Sequence, residues 1–248
     1  MSPLRQRFLD DLRLAGYSER TIESYSSPVA LLARYYQRSP DQITPEELRQ
    51  FFVYLKTERH LSDSSFKLYA TGLKFFYEKT LGEDWPLFDL VRPGKSRKLA
   101  VCLSHEEVKK LLSLVRSDDC QMALTTIYAC GLRLGEGLNL RLRHLDGTRG
   151  LLRVEGGKGN KDRYVPIPAR LLQLLRAYWT RQRPQDYLFP SQGKAEAPMH
   201  ETRLQKVFKA VVRESGITQQ QASIHTLRHS YATRLLEQGV NLKQLQEL

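Results

Sequence analysis

Residues 121–140 read QMALTTIYACGLRLGEGLNL, a stretch that is apolar or small apart from Arg133, Glu136 and Asn139. Such a composition predicts a buried helical pair, in which the two charged side chains stand out because an ionised group is costly to bury unless it is paired. Glu136 follows Arg133 by three residues, the spacing of neighbours on one helix face. Two interpretations stay open: a structural ion pair at a helix junction, or an arginine that enters a functional cleft.

Residues 151–168 read LLRVEGGKGNKDRYVPIP and contain two β-type runs, 151–155 and 163–168, around a glycine-rich turn. This pattern predicts a β-hairpin with Lys158 at its tip and Lys161 beside it. The GxxxxGK[ST] spacing of a nucleotide-binding P-loop is absent. Taken alone, a basic glycine-rich turn is most often only a turn, although its backbone can approach a ligand closely.

A third motif, HTLRH at residues 225–229, opens a predicted helix. Spacings of three and four residues bring His225, Arg228 and His229 to one helix face. A zinc site is disfavoured because a third ligand and the glutamate of HExxH are missing. A histidine near a helix N-terminus is favoured in its neutral form, which suits a proton acceptor at neutral pH.

Around these motifs the chain reads as two domains joined by a linker. Residues 1–90 predict an all-α bundle of four amphipathic helices, with a kink or break at Pro28. Residues 91–100, VRPGKSRKLA, read as a basic linker in which Lys95, Arg97 and Lys98 are candidates for contact with a phosphate backbone. Residues 101–248 predict an α+β domain, with helices near 104–115, 169–183, 200–215 and 226–238 and another that begins at 241.

Composition narrows the function classes. Of 248 residues, 39 are Lys or Arg and 27 are Asp or Glu, and the whole net charge of +12 lies after residue 92. A localised basic excess concentrates polyanions, so nucleic acid is the leading partner, with a merely solubilising basic surface as the alternative. Three cysteines without a CxxC pair fit a reducing compartment. No signal peptide or membrane span is found, which predicts a cytoplasmic protein without a membrane partner.

The segments GLRLGE, GGKGNKDRYVPIP and HTLRHSYATRLLEQGV, in this order, resemble the tyrosine recombinase (phage integrase) family. The resemblance covers nearly the whole chain. It implies a mainly α fold with a small β-sheet, in which a SAM-like core-binding domain precedes a catalytic domain of the DNA breaking-rejoining fold. It also implies a bacterial, nucleoid-associated protein that acts on double-stranded DNA and self-associates there as a tetramer, without metal or other cofactor.

By position, Arg133 and Arg228 match the two catalytic arginines of the family, Lys158 the hairpin lysine and His225 the histidine. Glu136 matches the acidic residue that supports the first arginine. The implied reaction is attack of a tyrosine on a DNA phosphodiester, which gives a 3′-phosphotyrosyl link and releases a 5′-hydroxyl. The arginines would stabilise the charge on the phosphorus centre, Lys158 would protonate the leaving oxygen, and His225 would act on the tyrosine proton.

One departure from the family pattern concerns the nucleophile. In the family the tyrosine follows an LGH-like segment, beyond the 20 residues that come after Arg228 here. Tyr231 could be considered as the nucleophile instead, but its position on the helix, three residues after Arg228, is typical of a side chain that packs against the core. We therefore expect this polypeptide to bind DNA without cleaving it, and we expect its tetrameric assembly to be impaired.

Two other functions remain open at this stage. One is a catalytically inactive DNA-binding or regulatory protein, which occupies recombination sites and uses its basic residues only to position phosphates. The other is a metal-dependent nuclease, which is disfavoured because the sequence offers no carboxylate cluster for Mg²⁺.

Overall fold

A computed structural model describes residues 2–91, 101–156 and 162–241. The described chain is mainly α-helical with small β-sheets, so the predicted fold class is confirmed. It divides into two compact units, Met1–Lys98 and Leu99–Leu248, called the first and second unit below. Linker residues 92–100, the hairpin tip and residues 242–248 of the predicted last helix lie outside the described residues.

The first unit is built from capped helices that bury aromatic faces. The side chains of Ser2, Ser18, Thr44 and Ser62 each accept a hydrogen bond from a backbone N–H three residues further on. These caps begin helices α1 (Pro3–Leu14), α2 (Glu19–Tyr36), α3 (Pro45–Thr57) and α4 (Asp63–Phe75). The unit also contains a 3₁₀ turn (Pro40–Gln42), a π-helix (Phe76–Leu81) and a short α5 (Leu87–Leu90), none of them predicted.

Helix α2 runs without interruption through Pro28, so the predicted break is wrong. The reason lies in packing against α4, where Gly72 has no side chain to keep the two helices apart. A Cβ atom on Gly72 would lie 2.9 Å from the Tyr25 carbonyl oxygen and 3.1 Å from Cγ of Pro28. Proline has no backbone N–H, so one hydrogen bond of the helix is missing at this position. Tertiary packing at the crossing of α2 and α4 nevertheless keeps α2 helical.

The second unit carries the rest of the helices and two small sheets. Its helices are α6 (His105–Leu114), α7 (Asp118–Ala129), α8 (Leu134–Leu138), α9 (Ala169–Gln182), α10 (Glu201–Ser215) and α11 (Ile224–Glu237). A 3₁₀ turn (Leu142–His144) precedes the strands β1 (Leu145–Asp146), β2 (Leu151–Val154) and β3 (Arg163–Pro166). Strands β4 (Pro190–Ser191) and β5 (Lys194–Pro198) form a separate antiparallel ribbon that the sequence did not predict.

The predicted β-hairpin is confirmed as the antiparallel pair β2–β3, in which Val154 lies opposite Arg163. Strand β1 adds to its other edge, so that the order is β1-β2-β3. Residues alternate between the two faces of a strand, and Leu152, Val154 and Val165 all point into the core of the second unit. None of the helices in the described parts of the chain is long and apolar enough to cross a membrane.

Candidate active site

Arg133 lies immediately before helix α8 and caps it. The chain leaves α7, turns at Gly131 with φ of +59°, and buries Leu132. Arg133 then stands at the N-cap with extended backbone, and Glu136 is the third residue of the helix. Oε2 of Glu136 accepts from the Arg133 backbone N–H at 2.8 Å, and Oε1 accepts from Arg133 Nη1 at 2.6 Å. The predicted pair is therefore confirmed, but it is a capping contact and not a pair along one helix face.

Glu136 lies at the centre of three guanidinium groups. Arg163 of β3 donates from Nη1 to Oε1 at 2.9 Å and from Nη2 to Oε2 at 2.8 Å. Nη1 of Arg228 lies 4.0 Å from Oε2. One carboxylate thus faces three permanent cations, which leaves a net excess of two positive charges in a partly buried place. Such an excess favours the binding of an anion.

The ionisation of Glu136 follows from these contacts. Its side chain is only 8% exposed, and burial by itself raises the pKa of a carboxyl group. The hydrogen bonds from Arg163 and Arg133 outweigh burial and lower the pKa of Glu136 from 4.5 to about 2. The carboxylate is therefore fully ionised at neutral pH and holds its arginines throughout the physiological range.

Arg228 reaches this cluster from helix α11. Its Nη1 donates to the carbonyl oxygen of Gly131, the glycine that turns the chain toward Arg133. Burial, and then the charge of Arg133, lower the pKa of Arg228, yet a guanidinium stays protonated at neutral pH. Among the residues that the structure describes, no acceptor takes the remaining N–H groups of Arg133 and Arg228. Two guanidinium groups with spare donors therefore flank the same carboxylate.

His225 is near enough to Arg228 and Arg133 for their charges to affect its pKa. The His225 and His229 rings are 4.5 Å apart between centroids and nearly perpendicular, at 80°. Burial, followed by the charges of His229, Arg228 and Arg133, lowers the pKa of His225 below 6.5. His225 is thus mainly neutral at neutral pH, as expected for a group that accepts or shares a proton.

The predicted hairpin lysines, Lys158 and Lys161, lie outside the described residues, and so do Lys95, Arg97 and Lys98 of the linker. The stem of the hairpin is described. Asp162 accepts from Arg153 Nη2 at 2.8 Å and from the Gly156 N–H at 3.1 Å, which ties the two ends of the loop together. The next residue, Arg163, fastens the same stem to Glu136.

Arg163 is the site residue that the sequence analysis missed. It follows Glu136 by 27 residues, so no local spacing joins the two. A signal was nevertheless present: Arg163 shares a strand face with the apolar Val165, and that face points inward. A basic side chain on the buried face of a strand requires a partner of opposite charge.

Tyr231 is partly buried and packs against the core of the second unit, which agrees with the packing position expected from the sequence. A Cβ atom on Gly131 would lie 2.3 Å from Cδ1 of Tyr231, so the ring lies directly over the glycine. Burial raises the pKa of the Tyr231 phenol, which opposes formation of a phenolate. The other tyrosines of the second unit are Tyr128, Tyr164, Tyr178 and Tyr187.

Two of these tyrosines have hydrogen-bonding partners and one is enclosed. Tyr128 Oη lies 3.2 Å from Nδ1 of His105, Tyr187 Oη accepts from Arg141 at 3.0 Å, and Tyr178 is buried. Tyr164 is exposed on the outer face of β3. Within 2–91, 101–156 and 162–241, no three His, Cys, Asp or Glu side chains are grouped as metal ligands.

Comparison with known proteins identifies the class to which this fold belongs. Solved structures of DNA-bound integrases superpose on nearly the whole chain. The lambda integrase tetramer on a Holliday junction matches with a TM-score of 0.78 at 19% identity, over 99% of this chain and 75% of that one. The Tn1549 transposon integrase with transposon right end DNA matches with a TM-score of 0.77 at 18% identity, over 98% and 90%. At these identities the likeness establishes the integrase fold.

Sequence comparison then establishes the family. The phage integrase family model matches residues 102–248, and the model of the phage integrase N-terminal SAM-like domain matches residues 4–87. The protein y4qK of Sinorhizobium fredii is 37% identical, over 100% of this chain and 80% of the relative. The tyrosine recombinase XerA of Pyrococcus furiosus is 32% identical, over 100% and 85%. The chain belongs to the phage integrase family of tyrosine recombinases.

Proposed function

We propose that this chain binds double-stranded DNA at a recombination site, and that Arg133 and Arg228 clamp the two non-bridging oxygens of one scissile phosphate. The observation that carries the proposal is the cluster of three guanidinium groups around Glu136. Both terminal nitrogens of Arg163 donate to the carboxylate, whereas Arg133 and Arg228 each have terminal N–H groups that remain available to a ligand. A phosphodiester offers the acceptor oxygens and the negative charge that such a pair requires.

The other predicted residues complete the chemistry of strand transfer. When a tyrosine hydroxyl attacks the phosphorus, Lys158 would donate a proton to the 5′-oxygen whose bond to phosphorus breaks, and neutral His225 would take the proton of that hydroxyl. The arginines stabilise the charge that builds on phosphorus, so the chain itself supplies the cations for this step. Lys95, Arg97, Lys98 and Lys161 contact the DNA backbone, where each neutralised phosphate adds to the salt dependence of binding.

The 248-residue polypeptide binds DNA without a covalent link in this proposal. Tyr231 is held over Gly131 with a raised pKa, and Tyr128, Tyr178 and Tyr187 are occupied by packing or hydrogen bonds. Tyr164 faces outward, on the strand face opposite to that of Arg163. These placements favour a second candidate for the polypeptide, a regulatory protein that occupies recombination sites without cleaving them.

Assembly and location complete the proposal. The lambda integrase structure named above is a tetramer on a Holliday junction, and we infer that this chain also self-associates on DNA. Mass photometry with and without a synthetic Holliday junction tests this. We infer that the protein binds its DNA in the bacterial cytoplasm, in association with the nucleoid.

One experiment tests binding and chemistry together. A pool of nicked duplexes of randomised sequence is incubated with the polypeptide, and the products are run on native gels and on denaturing SDS gels. We expect shifted complexes on the native gel that weaken steeply with salt, and no SDS-resistant adduct. An adduct refutes the inactivity of the polypeptide, and the absence of any shift refutes DNA binding. Cleavage that EDTA abolishes would instead support the metal-dependent nuclease.

A further inference from the structure

Arg163 makes a bidentate contact with Glu136, unlike Arg133 and Arg228. Both terminal nitrogens donate to the two oxygens of Glu136, at 2.9 Å and 2.8 Å, in the parallel geometry that a guanidinium and a carboxylate share. The side chain is 16% exposed, compared with 38% for Arg133. Its Nε is buried and has no hydrogen-bond partner in the described part of the chain. Arg163 therefore faces the carboxylate and not the solvent.

This contact joins two parts of the site that are distant in sequence. Arg163 follows the loop that carries Lys158, and Asp162, its neighbour, closes the base of that loop. Glu136 in turn binds Arg133 through both its backbone N–H and its guanidinium. The chain of contacts thus runs from the hairpin stem through Glu136 to Arg133. If Arg163 were absent, Glu136 would lose two of these four hydrogen bonds, and the orientation of its carboxylate would be held by Arg133 alone among these donors.

We propose that Arg163 is a positioning residue, whose paired hydrogen bonds to Glu136 fix the orientation of the Arg133 guanidinium toward the DNA phosphate. This inference rests on the proposed function, in which Arg133 binds that phosphate. Both terminal nitrogens of Arg163 are engaged by Glu136, so Arg163 acts through Arg133 and does not itself clamp the phosphate. A lysine at this position would keep the charge but would lose the paired geometry, because an ammonium is a point charge.

A double-mutant cycle on DNA affinity tests this assignment. The variants are R133A, R228A, R163Q, R163K and R133A/R163Q in the full chain, measured by fluorescence anisotropy with a labelled random-sequence duplex at several salt concentrations. The matched control is R153Q, alone and with R133A, since Arg153 lies on the neighbouring strand of the hairpin and pairs with Asp162 and not with Glu136. Circular dichroism and thermal unfolding show that each variant is folded.

We expect R133A and R163Q each to weaken DNA binding by about tenfold, and R163K to resemble R163Q. In the R133A background, R163Q changes the affinity by less than about twofold, because the group through which it acts is gone. The effects of R153Q and R133A are expected to add. If R163Q is unfolded, R163K takes its place in the comparison, because lysine keeps the charge and most of the volume of the side chain.

The outcomes separate the inference from the proposed function. If R163K restores wild-type affinity, or if R163Q weakens binding equally in both backgrounds, Arg163 acts through its charge or on the phosphate itself, and the positioning role is wrong. If R133A weakens binding and neither Arg163 variant does, the inference also fails while the proposed function stands. If both R133A and R228A leave the affinity unchanged, the proposed function itself fails.

Discussion

Replacing Glu136 by glutamine removes the negative charge to which the guanidinium groups of Arg133, Arg163 and Arg228 are drawn. Glutamine keeps the shape of the side chain and one acceptor oxygen, but its NH₂ group would face donors from Arg133 and Arg163. The three cations would then repel one another in a place from which water is largely excluded, since Glu136 is only 8% exposed. Removal of one partner from a buried ion pair is costly for this reason.

The pKa of Glu136 gives the magnitude of the loss. Folding lowers this pKa from 4.5 to about 2, and each unit corresponds to about 1.4 kcal/mol of preference for the ionised form in the folded state. The carboxylate therefore contributes about 3 kcal/mol to the free energy of unfolding at neutral pH. The contribution is fully present above pH 4.5 and is lost as the pH falls through about 2. For a unit of this size, about 3 kcal/mol lowers the melting temperature by roughly 10 °C.

Tryptophan fluorescence provides an assay for the second unit alone. The chain has two tryptophans, of which Trp85 lies in the first unit and Trp179 in helix α9. In a Trp85→Phe background, urea unfolding followed at Trp179 reports the free energy of unfolding of the second unit. The titration is repeated at a series of pH values for the background protein and for E136Q. The control is Glu106→Gln, since Glu106 is 79% exposed and forms a surface ion pair with Lys109.

We expect E136Q to be less stable than the background protein at neutral pH, and the difference to shrink steadily as the pH falls from 4.5 toward 2. The Glu106→Gln control should follow the background protein throughout. The reasoning is wrong if the gap between E136Q and the background protein stays constant over that pH range. It is equally wrong if the two proteins have the same stability at neutral pH.

Three other outcomes follow from the described contacts. G131A should destabilise the second unit by about 3 kcal/mol in thermal unfolding, because the new methyl group meets the Tyr231 ring and the residue has positive φ; unchanged stability would contradict the observed packing. G72A should destabilise the first unit by about 2 kcal/mol, because its Cβ would press on the Tyr25 carbonyl oxygen, and calorimetry should find the second unit unaffected. The ring protons of His225 should titrate with a midpoint below 6.5 in proton NMR of the free protein, and a midpoint above that value would overturn the electrostatic picture of the site.

Helices and strands could be predicted where their sequence pattern lies within a few consecutive residues. The capping boxes at Thr44 with Glu47 and at Ser104 with Glu107 each join residues only three positions apart, so a helix start of this kind leaves a local signal in the sequence. The hairpin was predictable because its strands alternate around a glycine-rich turn. The ribbon of β4 and β5 could not be predicted, because β4 has only two residues and therefore shows no periodicity.

The site was predictable in part, for a related reason. Arg133, Glu136 and the motif at 225–229 stand out because their residues are close together in sequence and lie in apolar surroundings. The pairing of Arg163 with Glu136 joins positions that only the folded sheet brings together. Pro28 illustrates the same limit in the first unit, because the packing that keeps its helix intact comes from Gly72 on another helix.

The most direct test of the account is a crystal structure of the polypeptide bound to a DNA duplex. We predict that the guanidinium groups of Arg133 and Arg228 donate to the two non-bridging oxygens of one and the same phosphate, with Glu136 still bound to Arg133. Arginines that contact different phosphates, or that face away from the DNA, would contradict the central claim.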